Sequence, residues 1–443
     1  MTVIESAATP APDHQPVPTA PKGGAVLVLG GGTRLPQMLR DHGMYVVYAG
    51  STGEFTAAHG ALCHEAWLLA DGSEDAWLSR AMALHREVPF VRVVTVRERF
   101  LTAAARIGDA LGLGGNPLET VLVLKDKSLM RRLLAERAPD SAVPARVMGT
   151  PGEVDAFVAR VGLPFVLKPR DGSGSEGITI VRDEAGLAEA RRLVDGRPGA
   201  LLAEQFLEGP EFSVETFSGQ GRHQVLAVTE KFTGEGSVEI GHVVPARIGA
   251  EERAALEEAT RVFLDAVGLR EGPGHTELIL TAGGPRVVES HNRPGGDGIV
   301  DLVRHVTGLD VRDLLAAQTA GAPLPAPRED VAGAAATWFL TAEPGVVREV
   351  SGWEAAAGQP GIVGVSPDVE PGDAVGPLGG SDDRCGSVTA VGATGDEALA
   401  RAREAVGLVT VRTETAGAEA AQAPSGSGAE AAQAPSASQG ETR

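Results

Sequence analysis

Hydrophobic and polar positions alternate along the chain in blocks of two kinds. Short apolar runs at 25–29 (AVLVL), 45–48 and 90–96 end in glycines or charged turns and predict strands. Stretches at 35–40 and 100–111 space their apolar residues by three and four and predict helices, the second closed by Gly112. Strand–helix–strand order of this kind argues for a parallel sheet, over a first unit at 24–122. A helix at 127–136 follows, ended by Pro139 and Pro144, then a short helix at 153–161. The strand at 165–168 closes on Pro169 and a Gly/Ser-rich loop over 171–177. Strands at 178–181 and 201–206 come next. Those at 212–216, 224–229 and 278–280 read as one antiparallel sheet, interrupted by a long helix at 251–267. A strand at 287–289 runs into HNRPGGD, and helices are predicted at 300–306 and 311–316. Residues 330–413 form a last unit with Gly/Pro-rich turns and a closing helix at 396–406.

The two ends lack this patterning. Residues 1–23, rich in Pro, Ala and Thr, read as a disordered lead. Residues 414–443 read as a disordered low-complexity tail in which AEAAQAPS occurs twice, at 418–425 and 429–436. Hydrophobic residues at 43% and charged residues at 22% give an ordinary globular balance, and aromatics at 4% point to a core of small aliphatic side chains. No apolar run approaches the length of a membrane span, and the N-terminus lacks the basic and apolar regions of a secretory signal, so a cytoplasmic protein with no membrane partner is expected. With 39 Lys+Arg against 59 Asp+Glu, the net charge of -20 repels nucleic acid over most of the surface. A small anionic ligand can still enter a local basic cleft. Cys63 and Cys385 are too few and too far apart for a disulfide framework or a zinc site.

Three segments carry chemistry. In FVLKPRDGSGSEGITIV a strand delivers Lys168 to a glycine/serine loop, whose backbone N–H groups can wrap phosphate oxygens while the ammonium adds a compact charge. Read alone, it serves equally as a hairpin loop beside a surface lysine, and it has no P-loop spacing. In EQFLEGPEFSVET, backbone groups at Glu204, Gln205, Phe206 and Leu207 suit a purine edge and the Glu211 carboxylate suits ribose hydroxyls, although an acidic turn would read the same. Glu277 and Glu289 lie on two strands joined by the Gly283-Gly284 turn. As a hairpin they turn both carboxylates to one cleft, a hard-oxygen pair suited to Mg²⁺. Asn292 offers a neutral oxygen, but His291 precedes it and either residue completes such a site. Arg293 can neutralise a transferring phosphoryl group, and Gly295 and Gly296 let backbone N–H groups approach a carboxylate. No zinc spacing and no serine-nucleophile motif is present, and a lone histidine such as His275 is usually structural.

Together these segments resemble the ATP-grasp superfamily over about residues 24–412, and within it the carboxylate–amine ligases of the L-amino acid ligase (dipeptide synthetase) group. LKDKSLMRRLL resembles the group's D-K-x-x-M-R segment, which gives Lys127 a contact with ATP phosphate and leaves Lys125 as second choice. VEIGHVVPA, with Glu239 and His242, resembles the segment over the substrate site. ESHNRPGGD resembles E-x-N-x-R-x-G-G, with His291 where the pattern has Asn. The resemblance implies an α/β (α+β) ATP-grasp fold: an N-terminal Rossmann-like domain at 24–122, a two-lobed core at 123–329 with its lid at about 145–205, and a small β-rich C-terminal domain at 330–413. It implies ATP with Mg²⁺, or Mn²⁺ in its place. Lys127 and Lys168 would meet the phosphates under a loop of Ser173, Gly174, Ser175 and Gly177; Glu204 to Leu207 would meet adenine, Glu211 ribose, and His242 the nucleotide or substrate. Glu277, Glu289 and Asn292 would hold metal, and Glu239, His242, Arg293, Gly295 and Gly296 the substrates. The implied reaction activates a small-molecule carboxylate as an acyl phosphate and joins it to an amine, with Lys168 and Arg293 as catalytic groups. Alternatives are delivery to a carrier-protein thiol, a purine-pathway or biotin-carboxylase-like ligase, and a silent ATP-binding regulator. A homodimer is the default assembly for a soluble enzyme.

Overall fold

The structure, a computed structural model, describes residues 2–5 (backbone only), 23–69, 72–171, 174, 176–234, 238–328 and 330–414. The first sheet holds β1 (Thr2–Glu5), β2 (Ala25–Leu29), β3 (Tyr45–Ser51), β4 (Glu65–Leu69) and β5 (Phe90–Val94), all parallel, in the order β1-β4-β3-β2-β5. β2 is buried at every position because helices cover both faces. Val26 and Val28 pack towards Leu35 and Leu39 of the helix Arg34–Asp41, while Leu27 and Leu29 pack towards Trp77 and Ile107. The chain steps from β2 to β3 on one side and returns to β5 on the other. The C-terminal ends of β2 and β5 therefore flank a switch point, and the short turn Glu98–Phe100 projects there. β1 lies in the stretch expected to be disordered. It pairs with β4, Thr2 opposite Glu65.

The second sheet, β6 (Ala145–Met148), β7 (Phe165–Pro169), β8 (Thr179–Val181) and β9 (Leu201–Gln205), runs in the order β6-β9-β7-β8. Helices Pro151–Val161 and Glu184–Gly196 cover it through Phe157, Leu187 and Val194. The third sheet begins with β10 (Glu211–Gly219), β11 (Arg222–Thr233), β12 (Glu239–Val244), β13 (Gly272–Thr281) and β14 (Gly284–His291). The helix Ala250–Val267 backs it, with Leu256, Phe263 and Leu264 against Phe212, Val214, Leu278 and Val287.

The last unit adds β15 (Ala334–Leu340), β16 (Gly345–Ser351), β17 (Ile362–Pro367), β18 (Ala374–Val375), β19 (Gly386–Gly392) and β20 (Thr410–Glu414). β15, β19 and β17 continue the third sheet into one of eight antiparallel strands, β14-β13-β10-β11-β12-β15-β19-β17, while β16, β18 and β20 form a separate small sheet. The sequence pattern suggests a free-standing unit because it does not mark β12 as a strand. In the fold β12 bridges the two parts, Gly241 opposite Trp338. Gly241 permits this: a Cβ there would lie 2.2 Å from a Trp338 ring carbon. Among the described residues no helix is long and apolar enough to cross a membrane.

Phe263, 1% exposed, supports the strands that carry Glu277 and Glu289. Phe263→Ala is expected to lower the unfolding free energy by about 3–5 kcal/mol, read from urea denaturation.

Candidate active site

A cleft of about 330 Å³ opens between the second and third sheets. One end is apolar, lined by Val166, Ile178, Ile180, Phe206, Leu207 and Ile279. The other is charged. Lys168 leaves β7 buried and meets Glu204 of β9 at 2.8 Å. Arg131, on the helix Lys127–Arg137, binds the same carboxylate through Nε at 2.7 Å and Nη2 at 3.0 Å. Two cations thus share one anion. Burial pushes Glu204 up, but Arg131 and Lys168 outweigh it and hold the carboxyl at about 2. Lys168 is shifted down, first by burial and then by Arg131, against the pull of Glu204. The group carries one buried positive charge in excess, suited to an anion in the cleft.

Register does the rest. β13 and β14 pair with Glu277 opposite Glu289 and His275 opposite His291. Lys127 reaches Glu289 Oε1 at 3.0 Å, and His291 Nε2 reaches the same oxygen at 2.8 Å. Burial raises Glu289, yet His291 and Lys127 bring it to about 2. Glu277 Oε1 meets Lys231 at 2.7 Å and His275 Nε2 at 3.1 Å. Glu277 is held well below the usual carboxylate range, Lys231 and His275 overcoming burial. Behind them, Glu215 accepts from His275 Nδ1 at 2.9 Å; despite burial, Glu215 and Glu277 lift His275 to about 9. Glu98, in the turn after β5, meets His291 Nδ1 at 2.9 Å and Arg293 Nε at 2.6 Å. Lys231 also meets Glu211 and Glu239, each at 2.9 Å. Oxygens of Glu211, Glu239 and Glu277 lie within 4.8 Å of one another, but the Lys231 ammonium already supplies their cation.

The cleft gathers Lys127, Lys168, Gly174, Glu204, Gln205, Phe206, Leu207, Glu211, Glu239, His242, Glu277, Glu289, Arg293 and Gly296. Lys125 is not on its wall, and Ser173 and Ser175 lie outside the described residues. Three expectations are corrected. Asn292 does not join the carboxylates: Glu289 and His291 share one face of β14, while Asn292 follows the end of that strand and lines a second cavity with Arg92 and Asn116. His291 stands in the site instead. Gly295 lies behind it, where a Cβ would sit 2.9 Å from His275 Nδ1 and 3.1 Å from Glu215 Oε2. Gly177 packs on Pro169 and is absent from the cleft wall.

The ATP-grasp domain family matches residues 161–301, and the L-amino acid ligase C-terminal domain 2 family matches residues 338–414. The chain thus carries an ATP-grasp domain and an L-amino acid ligase C-terminal domain. It is 27% identical over 248 residues to alanine–anticapsin ligase of Bacillus subtilis, spanning 50% of this chain and only 52% of that one. It is 28% identical over 351 residues to protein y4rH of Sinorhizobium fredii, spanning 75% and 71%. The crystal structure of L-amino acid ligase from Bacillus licheniformis superposes with a TM-score of 0.75 at 23% identity, covering 88% of this chain and 99% of that one, a likeness of fold.

The C-terminal domain of this ATP-grasp protein reaches the cleft. Ser381 lines it, and its backbone N–H donates to the Gly174 carbonyl at 3.3 Å. Arg384 binds Asp297 through both Nη atoms, at 2.9 and 2.7 Å. Neither residue stands in a motif that marks chemistry. Lys231, Glu98 and Arg131 likewise escaped the sequence, since their roles come from cross-strand or interdomain contacts; Arg131 alone had a signal, the Arg of D-K-x-x-M-R.

Because the folded-state pKa of Glu204 is depressed, its stabilisation is complete above the ordinary value near 4.5 and is lost as pH falls towards 2. Glu204→Gln leaves two buried cations unpaired and is expected to cost about 3–5 kcal/mol at pH 7. Its stability should also vary less between pH 4.5 and 2 than the wild type, read from urea midpoints across pH.

Proposed function

We propose that this ligase uses ATP to activate a carboxylate, from an amino acid or small organic acid, as an acyl phosphate and transfers the acyl group to an amine. The observation that carries the reading is one cleft with an apolar end, a lysine pair and a facing carboxylate pair beside Arg293. Adenine takes the apolar end beside Phe206 and Leu207, Glu211 receives the ribose, and Lys127 and Lys168 hold the phosphates. The donor set fits Mg²⁺: Glu277 and Glu289 are hard oxygen ligands, both held ionised, and the contacts that grip them run through Oε1, so Oε2 of each is the oxygen a divalent ion would take. When bound, Mg²⁺ neutralises charge on the phosphates.

The chain's own residues then act mainly by position and charge. A carboxylate oxygen attacks the γ-phosphorus as its bond to the ADP oxygen breaks. Lys127 and Lys168 hold the phosphate chain still. Arg293, oriented by Glu98, neutralises the acyl phosphate and phosphate leaving group. The amine nitrogen forms its bond to the acyl carbon as the carbon–oxygen bond to phosphate breaks. Gly174, pinned by Ser381 at the cleft wall, helps keep water from the intermediate.

The test is ADP and phosphate release with pairs of acids and amines, with mass spectrometry of the products. Release that needs both partners, with a product lighter by one water than their sum, is expected. Release indifferent to the amine, or none with any pair, overturns the reading. Arg293→Gln should lower kcat by about 100-fold or more while nucleotide affinity, measured by calorimetry, is retained.

A further inference from the structure

The hairpin that carries Glu277 and Glu289 does not close regularly. From its turn the ladder runs Thr281 opposite Gly284, Leu280 opposite Pro285, Ile279 opposite Arg286 and Leu278 opposite Val287. The next regular partner of Glu277 is Val288, yet Glu277 stands opposite Glu289. Val288 is therefore an extra residue, a β-bulge, and it lines the cleft beside Glu289. The bulge decides which way Glu289 points. A ladder without it sets Glu289 opposite Thr276, and a slip of one residue turns a strand's side chains to the other face. That face is the one on which Leu278 and Val287 pack against Phe263 and Leu264. Without the bulge, one carboxylate faces the cleft and the other the core.

A bulge interrupts the ladder, and a buried carbonyl at the interruption needs a donor from elsewhere. Arg131 is that donor. Its side chain is 4% exposed; Nη1 donates to the Val287 carbonyl at 2.6 Å and Nη2 to the Val288 carbonyl at 2.9 Å. Glu204 holds the same guanidinium from its Nε edge, accepting from Nε and Nη2. A planar fork meets a carboxylate and two successive carbonyls at once, and a single ammonium does not. The helix that carries Arg131 begins with Lys127, which meets Glu289 Oε1, so helix and bulge are joined at two points. The phosphoryl chemistry described above leaves Arg131 without a task beyond its charge.

We propose that Arg131 is a positioning residue for the divalent metal: by bonding both carbonyls of the bulge it holds Glu289 opposite Glu277, and by clasping Glu204 it ties that register to the end of β9 at the cleft wall. The inference rests on the reading of Glu277 and Glu289 as metal ligands for its functional consequence, though not for the register itself. It also gives the buried Arg131–Glu204 pair a part in assembling the site, beside balancing charge.

Two measurements on the full chain test it. The first is Mn²⁺ uptake under saturating ADP, read from loss of the free-ion electron paramagnetic resonance signal, beside metal-free ADP affinity read by calorimetry. Arg131→Lys keeps the charge facing Glu204 but brings one ammonium to two carbonyls. It should weaken Mn²⁺ binding by about 10- to 100-fold and metal-free ADP binding by less than about threefold. Deleting Val288 from that variant removes the residue that must bulge and lets a regular ladder set Glu289 opposite Glu277. The deletion should return Mn²⁺ affinity to within about threefold of the wild type. An arginine that only stabilises the fold is not relieved in this way. Unchanged Mn²⁺ affinity in Arg131→Lys, or a deletion that fails to restore it, overturns the proposal. If Arg131→Lys does not fold, the doubly altered chain decides: a folded chain that takes up Mn²⁺ upholds the proposal, and any other result overturns it. The second measurement is the crystal structure of Arg131→Lys. Glu277 opposite Val288 is expected, and Glu277 still opposite Glu289 overturns the proposal. If the wild type itself takes up no Mn²⁺, the metal reading fails, and this register alone decides the role of Arg131.

Discussion

Two half-buried carboxylates, Glu277 and Glu289, set directly opposite each other are the constraint around which this molecule is organised. Cross-strand partners such as Glu277 and Glu289 have Cβ atoms about 5 Å apart, close enough for their like charges to repel. The pair is ionised only because cations come to it from several elements. Lys127 arrives from a helix N-terminus, Lys231 from β11, and His275 and His291 from the same two strands, each one alternation away. Around that core the balance alternates in sign: Glu215 and Glu98 lie behind the histidines, and Glu211 and Glu239 beside Lys231. The site is a lattice of opposite charges with few unpaired members, and the excess positive charge near Lys168 is where an anion is wanted.

Much of this was legible in the sequence, and the misses have physical reasons. The Gly283-Gly284 turn between two apolar runs defines a hairpin that brings Glu277 near Glu289, and a β-bulge between Glu277 and Leu278, which the sequence does not mark, sets them opposite each other. Two residues further along β14, His291 falls on the same face as Glu289, whereas Asn292 lies past the end of the strand. The apolar pattern does not mark the helices Glu74–His85 and Glu184–Gly196. The first buries only Trp77, Ala81 and Leu84, too sparse a stripe to stand out. Lys231 could not be found: its three carboxylates come from β10, β12 and β13, and only the strand order brings them to one point. Glu98 and Arg384 fall in the same class, since each acts across a boundary between units that the pattern treats separately.

Those boundaries are weaker than the composition suggests. The third sheet passes without a break from β12 into β15, so the C-terminal strands and the carboxylate-bearing strands belong to one surface. Ser381 and Arg384 can therefore meet Gly174 and Asp297 from a fixed position. At the opposite side, the switch point of the first sheet delivers Glu98 to Arg293. The cleft is thus closed by contributions from every layer of the molecule, and the order of residues in the chain conceals this.

The central claim is that the cleft moves the γ-phosphoryl group of ATP onto a carboxylate oxygen. The most direct measurement is turnover with an acid substrate labelled with ¹⁸O in its carboxyl group, followed by mass analysis of the released phosphate. One ¹⁸O in each phosphate, with ADP as the nucleotide product, is the predicted result. Unlabelled phosphate, or ¹⁸O found in AMP, would contradict it.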